Sequence, residues 1–230
     1  WLPVLQAVIS RSTGYEHLSK LRARGFRGQL GYLPHYCARA VAEQSAMLWL
    51  ALLRRLPMQL SNMARFERDN LTGRECLGRT LAVFGVGNIG REVVAIGKGL
   101  GMQVLGVDIV ERFPDEVQYV SPQTALSRAE VIVCAMNLTA NNANYFNAER
   151  LAWLSSGVCF VNISRGEMSP PENLLAALSD GRLAGVALDV YPAETAFARS
   201  LRAGGRGPEA LRRLQEHPNV IFTPHNAFNT

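Results

Sequence analysis

Leu81-Ala-Val-Phe-Gly-Val-Gly-Asn-Ile-Gly-Arg91, running on to Gly106-Val-Asp108, decides how the rest of the 230-residue chain is read. Leu81 to Phe84 form a short apolar strand. Gly85, Gly87 and Gly90 then set a turn that opens a helix, and a second apolar run ends in Asp108. Each glycine has its own task. The first permits a tight turn, the second lets a pyrophosphate approach the backbone, and the third lets the helix pack closely on its strand. The helix N-terminus offers N–H groups and a partial positive charge to phosphates. Asp108 stands 18 residues past Gly90. A carboxylate there accepts hydrogen bonds from a ribose 2′-OH and repels a 2′-phosphate, so the expected dinucleotide is NAD rather than NADP. A glycine triplet alone is a weak signal. Here the strand before it, the helix after it and the acid at the end of the second strand agree.

Outward from that turn, strand–helix–strand repeats from Thr80 to the end. Residues 117–120, 131–135, 158–163, 184–190 and 220–223 read as strands. Ser121-Pro122 caps a brief helix, and residues 149–154 close another. Ser169-Pro-Pro-Glu172 has the form of a capping box for a helix that stops at Gly181. Residues 209–216 make a further helix, and the polar, glycine-rich stretch 195–207 reads as a mobile insertion. Most strands are apolar throughout rather than alternating, so a doubly wound parallel sheet covered on both faces is expected.

Before the turn, residues 4–9 read as a strand and 10–14 as the loop at its carboxyl end. The backbone N–H groups of Thr13 and Gly14 could meet an anion there, or form an ordinary turn. A short helix, 18–24, stops at Gly25, and Gly31-Tyr-Leu-Pro34 reads as a linker. Residues 38–56 form a helix apolar almost all round, expected to be buried against more than one surface, a subunit interface among them. Pro57 ends or kinks it, and 58–68 continues as an amphipathic helix.

Composition narrows the partners. A hydrophobic share of 48% with 19% charged residues belongs to a folded globular chain. The net charge of +5 suits an anionic cofactor and an acidic substrate. The basic residues are scattered, densest at Arg54-Arg55 and Leu211-Arg-Arg213, with no aromatic-interleaved stripe for nucleic acid. Cys37, Cys76, Cys134 and Cys159 have no metal-ligand spacing, so no metal is expected, and a reducing, cytoplasmic setting is the natural one. The apolar run Ala46-Met-Leu-Trp-Leu-Ala-Leu-Leu53 is too short to cross a membrane.

Reactive residues follow the later strands. Arg165 comes after Asn162-Ile-Ser164, Asp189 ends the strand from 184, Glu194 lies five residues on, and His225 follows Thr223-Pro224. All lie at carboxyl ends of parallel strands, where a doubly wound sheet binds its ligands. Singly, each has an ordinary structural role. Together, beside a dinucleotide turn, they fit hydride transfer to a 2-oxo acid. The Arg fork suits a carboxylate. The ketone oxygen gains charge as hydride arrives, and an imidazolium is a suitable proton donor near neutral pH. A carboxylate on the other ring nitrogen favours that charged form. His225 is the expected acid/base, Glu194 its partner and Arg165 the substrate clamp.

The segments Phe84-Gly-Val-Gly-Asn-Ile-Gly-Arg91, Gly101-Met-Gln-Val-Leu-Gly-Val-Asp108, Val161-Asn-Ile-Ser-Arg-Gly166, Gly185-Val-Ala-Leu-Asp-Val-Tyr191 and Asn219-Val-Ile-Phe-Thr-Pro-His-Asn-Ala-Phe228 resemble the D-isomer-specific 2-hydroxy acid dehydrogenases. The Asp189–Glu194 spacing, the insertion after it and the ending Pro-His-Asn-Ala-Phe-Asn-Thr most resemble the D-lactate dehydrogenase branch. The resemblance implies catalytic roles for Arg165, Glu194 and His225. It places Gly85, Gly87, Asn88, Ile89 and Gly90 at the pyrophosphate, Asp108 at the adenosine ribose, Asp189 at the nicotinamide amide, and Asn137, Ile163 and Ser164 along the cofactor. It gives the substrate to Thr13, Gly14, Arg165 and Phe228, with His35 and Tyr36 as further candidates for its side chain.

The resemblance also implies an organisation: residues 1–36 as part of a smaller, flavodoxin-like substrate domain, 37–225 as a Rossmann NAD-binding domain with an N-terminal helix in a homodimer contact, and 226–230 as the start of the return. Most of the substrate domain would then precede Trp1, and a C-terminal helix would follow Thr230. The chain departs from the family pattern in four places: Asn137 where Pro is usual, Asn142 where Thr is usual, Pro170 where Asp is usual, and Glu16 for another acid. Two other readings stay open: an NAD-dependent corepressor of the same family, and a chain that binds NAD without turnover.

Overall fold

The computed structural model describes residues 4–11 and 14–230. The chain begins as a small parallel pair, β1 (Ala7–Ser10) and β2 (Gln29–Tyr32), crossed by α1 (Glu16–Ala23). Half of the expected linker is therefore strand: Gly31 stands opposite Ile9 and Tyr32 opposite Ser10. The amphipathic pattern that marks a strand is too short here to be read, because both faces of β1 and β2 stay partly open.

Next come α2 (Ala38–Leu53) and α3 (Leu56–Asn62). The break between them falls at Arg55, which adopts the left-handed conformation with φ 53°. Pro57 sits in the first turn of α3, where its missing N–H costs nothing. The proline thus starts the second helix, and does not kink the first.

The main sheet follows: β3 (Thr80–Phe84), α4 (Asn88–Gly99), β4 (Gln103–Val107), β5 (Gln118–Tyr119), α5 (Pro122–Arg128), β6 (Val131–Cys134), α6 (Ala148–Leu151), β7 (Val158–Asn162), α7 (Pro171–Ser179), β8 (Leu183–Leu188), α8 (Glu194–Arg202), α9 (Glu209–Gln215) and β9 (Val220–Phe222). Its seven strands run in the order β5-β4-β3-β6-β7-β8-β9, every neighbouring pair parallel. The winding reverses between β3 and β6, which opens a crevice at their carboxyl ends.

Strand side chains alternate between two buried cores, which is why the central strands are apolar except at their ends, Thr80, Gln103 and Asn162. Leu81, Val83, Val131, Val133, Cys159 and Val161 face the core that also holds Leu48, Trp49 and Leu52 of α2. Ala82, Phe84, Ile132, Cys134, Phe160 and Leu188 face the other. There Phe146 stacks edge-on to Phe84 and Phe160, with centroids 5.2 and 4.8 Å apart.

Two local expectations change. The stretch expected as a mobile insertion begins as α8, whose Phe197 is buried and packs on the Tyr191 ring at 5.0 Å. One aromatic anchor orders a segment whose composition looks like a loop. The Ser169 capping box does not form: the residue before α7 is Pro170, and no side chain caps the helix.

Candidate active site

The glycine turn is built as its spacing requires. Gly85 has φ +92°, and a Cβ there would meet the Met136 Cα at 2.6 Å. A Cβ at Gly90 would fall on the carbonyl of Gly85, so only glycine lets α4 start this close to β3. Gly87 faces open space, with nothing within 4 Å of a Cβ, and α4 begins at the next residue, Asn88. Concave backbone, helix N-terminus and open approach together fit a pyrophosphate. At the end of β4, Asp108 accepts hydrogen bonds from the backbone N–H of Val86 at 2.7 Å and of Val110 at 3.2 Å. Its carboxylate is thereby fixed beside the turn, with lone pairs left for ribose hydroxyls. The Asn88 amide donates to the carbonyl of Pro34 at 3.0 Å and lies 3.3 Å from His35 Nδ1, tying the segment after β2 to the start of α4. Ile89 lies in the first turn of that helix.

Asn137 follows β6 on an exposed loop held by Asn142. The Asn142 amide donates to the Asn137 carbonyl at 2.8 Å and accepts from the Thr139 N–H at 2.7 Å. At the end of β7, Ile163 is buried, and the Ser164 hydroxyl donates to the Met136 carbonyl, joining this turn to the one beneath Gly85. Arg165 is extended, and one guanidinium N–H donates to the Ser164 carbonyl at 2.8 Å. Gly166 is packed so closely that a Cβ would fall on the backbone of Tyr191 and Pro192. The Arg165 turn is thereby pressed against the segment leading to Glu194.

Glu194 is the first residue of α8, set by a left-handed Ala193 (φ 49°). Its Oε1 lies 2.7 Å from His225 Nδ1. A carboxylate only accepts, so Nδ1 carries the hydrogen and Nε2 is left for the proton that moves. His225 has φ 52°, a conformation uncommon for histidine. What holds it is Asp189, fully buried at the end of β8. Its Oδ1 accepts from the Thr223 hydroxyl at 2.5 Å and the Asn226 N–H at 3.0 Å, and its Oδ2 from the Ala227 N–H at 3.1 Å. The Tyr191 hydroxyl reaches the Thr223 carbonyl at 2.8 Å. Phe228 stands edge-on to the His225 ring, centroids 6.0 Å apart.

The His225 pKa is raised. The hydrogen bond to Glu194 is the main cause, burial opposes it, the charges of Glu194 and Asp189 add to it, and the Arg165 charge lowers it. All four groups therefore share one electrostatic neighbourhood, although they come from the ends of three strands.

Arg165, Asp189, Glu194, His225 and Phe228 thus gather at the carboxyl edge. Gly14 lies between β1 and α1, and Thr13 is outside the described residues. Asp189, expected at the nicotinamide, spends its carboxylate on the loop that carries His225. Sequence reasoning missed Asn162, Thr223 and Gly166; for Asn162, a buried polar residue ending an apolar strand was the available signal.

Comparison with known proteins agrees with this geometry. Residues 46–227 match the model of the D-isomer specific 2-hydroxyacid dehydrogenase, NAD binding domain. The aromatic 2-oxoacid reductase of Clostridium sporogenes is 30% identical over 232 residues, covering 98% of this chain and 70% of that protein. The D-lactate dehydrogenase of Lactiplantibacillus plantarum is 31% identical over 228 residues, covering 96% and 68%. The crystal structure of D-lactate dehydrogenase from Aquifex aeolicus, complexed with NAD and lactic acid, superposes with a TM-score of 0.88 at 29% identity, covering 100% of this chain and 72% of that one. With the glycine turn, the parallel sheet and the family match in accord, the chain belongs to the D-isomer specific 2-hydroxyacid dehydrogenases.

Proposed function

We propose that this protein reduces a small 2-oxo acid of the pyruvate kind to its D-2-hydroxy acid with NADH, and runs the reverse reaction with NAD. The observation that carries the reading is the 2.7 Å His225–Glu194 pair at the carboxyl edge of the sheet, within electrostatic reach of Arg165.

The bound dinucleotide supplies or accepts the hydride; this chain's residues do the rest. The N–H groups at the start of α4 and the open face of Gly87 hold the pyrophosphate, and Asp108 takes the ribose hydroxyls. Along the cofactor lie Asn137, Ile163 and Ser164. Arg165 binds the substrate carboxylate and opposes charge on the ketone oxygen as it becomes an alkoxide. His225 Nε2–H gives its proton to that oxygen, while Glu194 holds Nδ1 and stabilises the imidazolium. In oxidation the neutral imidazole takes the proton back. Phe228, beside the imidazole, lines the space for the substrate's side chain, with the Thr13-Gly14 backbone assigned to its carboxylate.

The same reading treats residues 1–36 as part of a substrate domain, 37–225 as the NAD-binding domain and 226–230 as the return. It makes the working unit a homodimer. α2 uses its buried face on its own sheet but leaves Met47 and Leu50 exposed, and the apolar surface open to a second copy runs from these to Leu56, Leu60, Met63 and Phe66 of α3 and the turn after it. A self-complementary patch of this kind closes as a two-fold pair. No helix among the described residues is long and apolar enough to cross a membrane. With four free cysteines, we place the protein in the cytoplasm.

NADH absorbance followed across a panel of 2-oxo acids tests the reading. Oxidation of NADH by at least one of them, with NADPH used poorly, is the expected result. No turnover with any would overturn the enzyme, and equal use of NADPH would overturn the role of Asp108.

A further inference from the structure

Asn162 ends β7 with no exposed surface, and each hydrogen-bonding group of its side chain turns forward into the next seven residues. Its amide nitrogen donates to the Arg165 carbonyl at 3.0 Å and to the Ser169 hydroxyl at 2.8 Å. Its amide oxygen accepts from the Ser164 N–H at 2.9 Å. The Arg165 carbonyl also accepts from the Met168 N–H at 3.2 Å, and the Ser169 N–H donates to the Gly166 carbonyl at 3.1 Å. The backbone on both sides of Arg165 is thus pinned from within, and Ser169, 1% exposed, closes the far end of the knot.

A serine before a proline-started helix is ordinarily a cap. Here it leaves α7 uncapped and turns its oxygen to Asn162. A helix without its cap leaves first-turn N–H groups without a partner, so the hydroxyl serves the turn at the expense of the helix. Arg165 needs that service. Its carbonyl is fixed by two donors, while its guanidinium must reach out to an anion from an extended residue between the end of β7 and a single 3-10 turn, Gly166–Met168.

We propose that Asn162 and Ser169 are positioning residues: they set the backbone of Arg165, and through it the reach of the guanidinium toward the substrate carboxylate. The proposal rests on the oxo-acid reading of the site. It adds that affinity for the acid and the rate of the hydride step are both held by a hydroxyl that touches neither substrate nor cofactor.

Ser169→Ala removes one hydroxyl and leaves Asn162 its other two bonds, so the fold is kept. The comparison is steady-state kinetics with the best 2-oxo acid, the NADH Kd by fluorescence, and the thermal midpoint, for the full chain and the variant. The variant is expected to lose about ten-fold in kcat/KM, shared between a raised KM for the acid and a lowered kcat, because misplacement of a clamp by even part of an ångström is costly. NADH Kd and midpoint should stay where they were. Asn162→Asp keeps the acceptor and loses the donor, and is expected to show the same split more strongly. Ser169→Ala kinetics within two-fold of the parent would overturn the positioning role alone. So would a loss of NADH affinity in step with kcat/KM, which marks a general loosening. A parent chain that turns over no 2-oxo acid would overturn the reading beneath it as well.

Discussion

At the scale of single residues, the site's behaviour follows from one charge pair. The His225 pKa is raised chiefly by Glu194, so the protonated form is favoured in the folded protein. Reduction needs that form. Its rate is therefore full at low pH and falls as pH rises through the raised pKa, while oxidation needs the neutral ring and falls in the other direction. Glu194→Gln removes the largest cause and leaves burial and the Arg165 charge lowering the pKa against the Asp189 charge alone. The alkaline limb of kcat/KM for reduction should then move to lower pH, with NADH affinity unchanged. A pH–rate profile superposable on the parent's would remove Glu194 from the mechanism. His225→Ala takes away the proton donor itself, and a loss of about 10²–10⁴-fold in kcat is expected. Single-turnover absorbance with saturating NADH measures it directly.

At the scale of elements, the glycines separate what the sequence makes legible from what it hides. Gly85, Gly87 and Gly90 could be assigned from spacing because each answers to a local need: a turn, an open approach, a helix against its own strand. The strands could be found because both faces of the sheet are buried, so the apolar runs are continuous. Ser121 caps α5 as its Ser-Pro pattern says, accepting from the Thr124 N–H at 3.1 Å. The Ser169 motif looks the same on paper, yet a partner outside the helix, Asn162, seven residues back at the end of β7, outcompetes the helix end. α8 was hidden for a similar reason, since its single anchor, Phe197, matters only once Tyr191 is beside it. Gly166 belongs to this hidden class: its need for a bare Cα comes from Tyr191 and Pro192, 25 residues on at the nearer. Gly166→Ala must push the Arg165 turn away from the Glu194 segment. A fall of roughly 10²-fold in kcat/KM is expected for a displacement near 1 Å, with the NADH Kd held within a few-fold. Unchanged kinetics would mean that the two turns are not mechanically coupled.

At the scale of the whole molecule, the balance of exposed and buried apolar surface points to a second copy. α2 looks like an interface helix in sequence because apolar residues surround it. In the fold, Val41, Ala42, Ala46, Leu48, Trp49, Leu52 and Leu53 are all taken up by its own domain. In this region Met47 and Leu50 on α2, then Leu56, Leu60, Met63 and Phe66 beyond the Arg55 turn, stay outside, with Leu60 69% and Phe66 72% exposed, while Leu77 and Ile109 are exposed elsewhere. No residue of α3 is buried, although it is apolar at Leu56, Met58 and Leu60. A short helix with no core of its own stays folded only when something covers it. In the homodimer proposed above, a second copy of the chain would supply the same face by symmetry. Leu60→Glu combined with Phe66→Glu places like charges opposite one another across the two-fold axis, so a dimer in the parent should become a monomer in sedimentation velocity at micromolar concentration. The change lies outside the glycine turn and the His225 pair, so the variant monomer should still bind NADH. A parent that sediments as a monomer would overturn the homodimer, and a double variant that remains dimeric would move the contact away from α3.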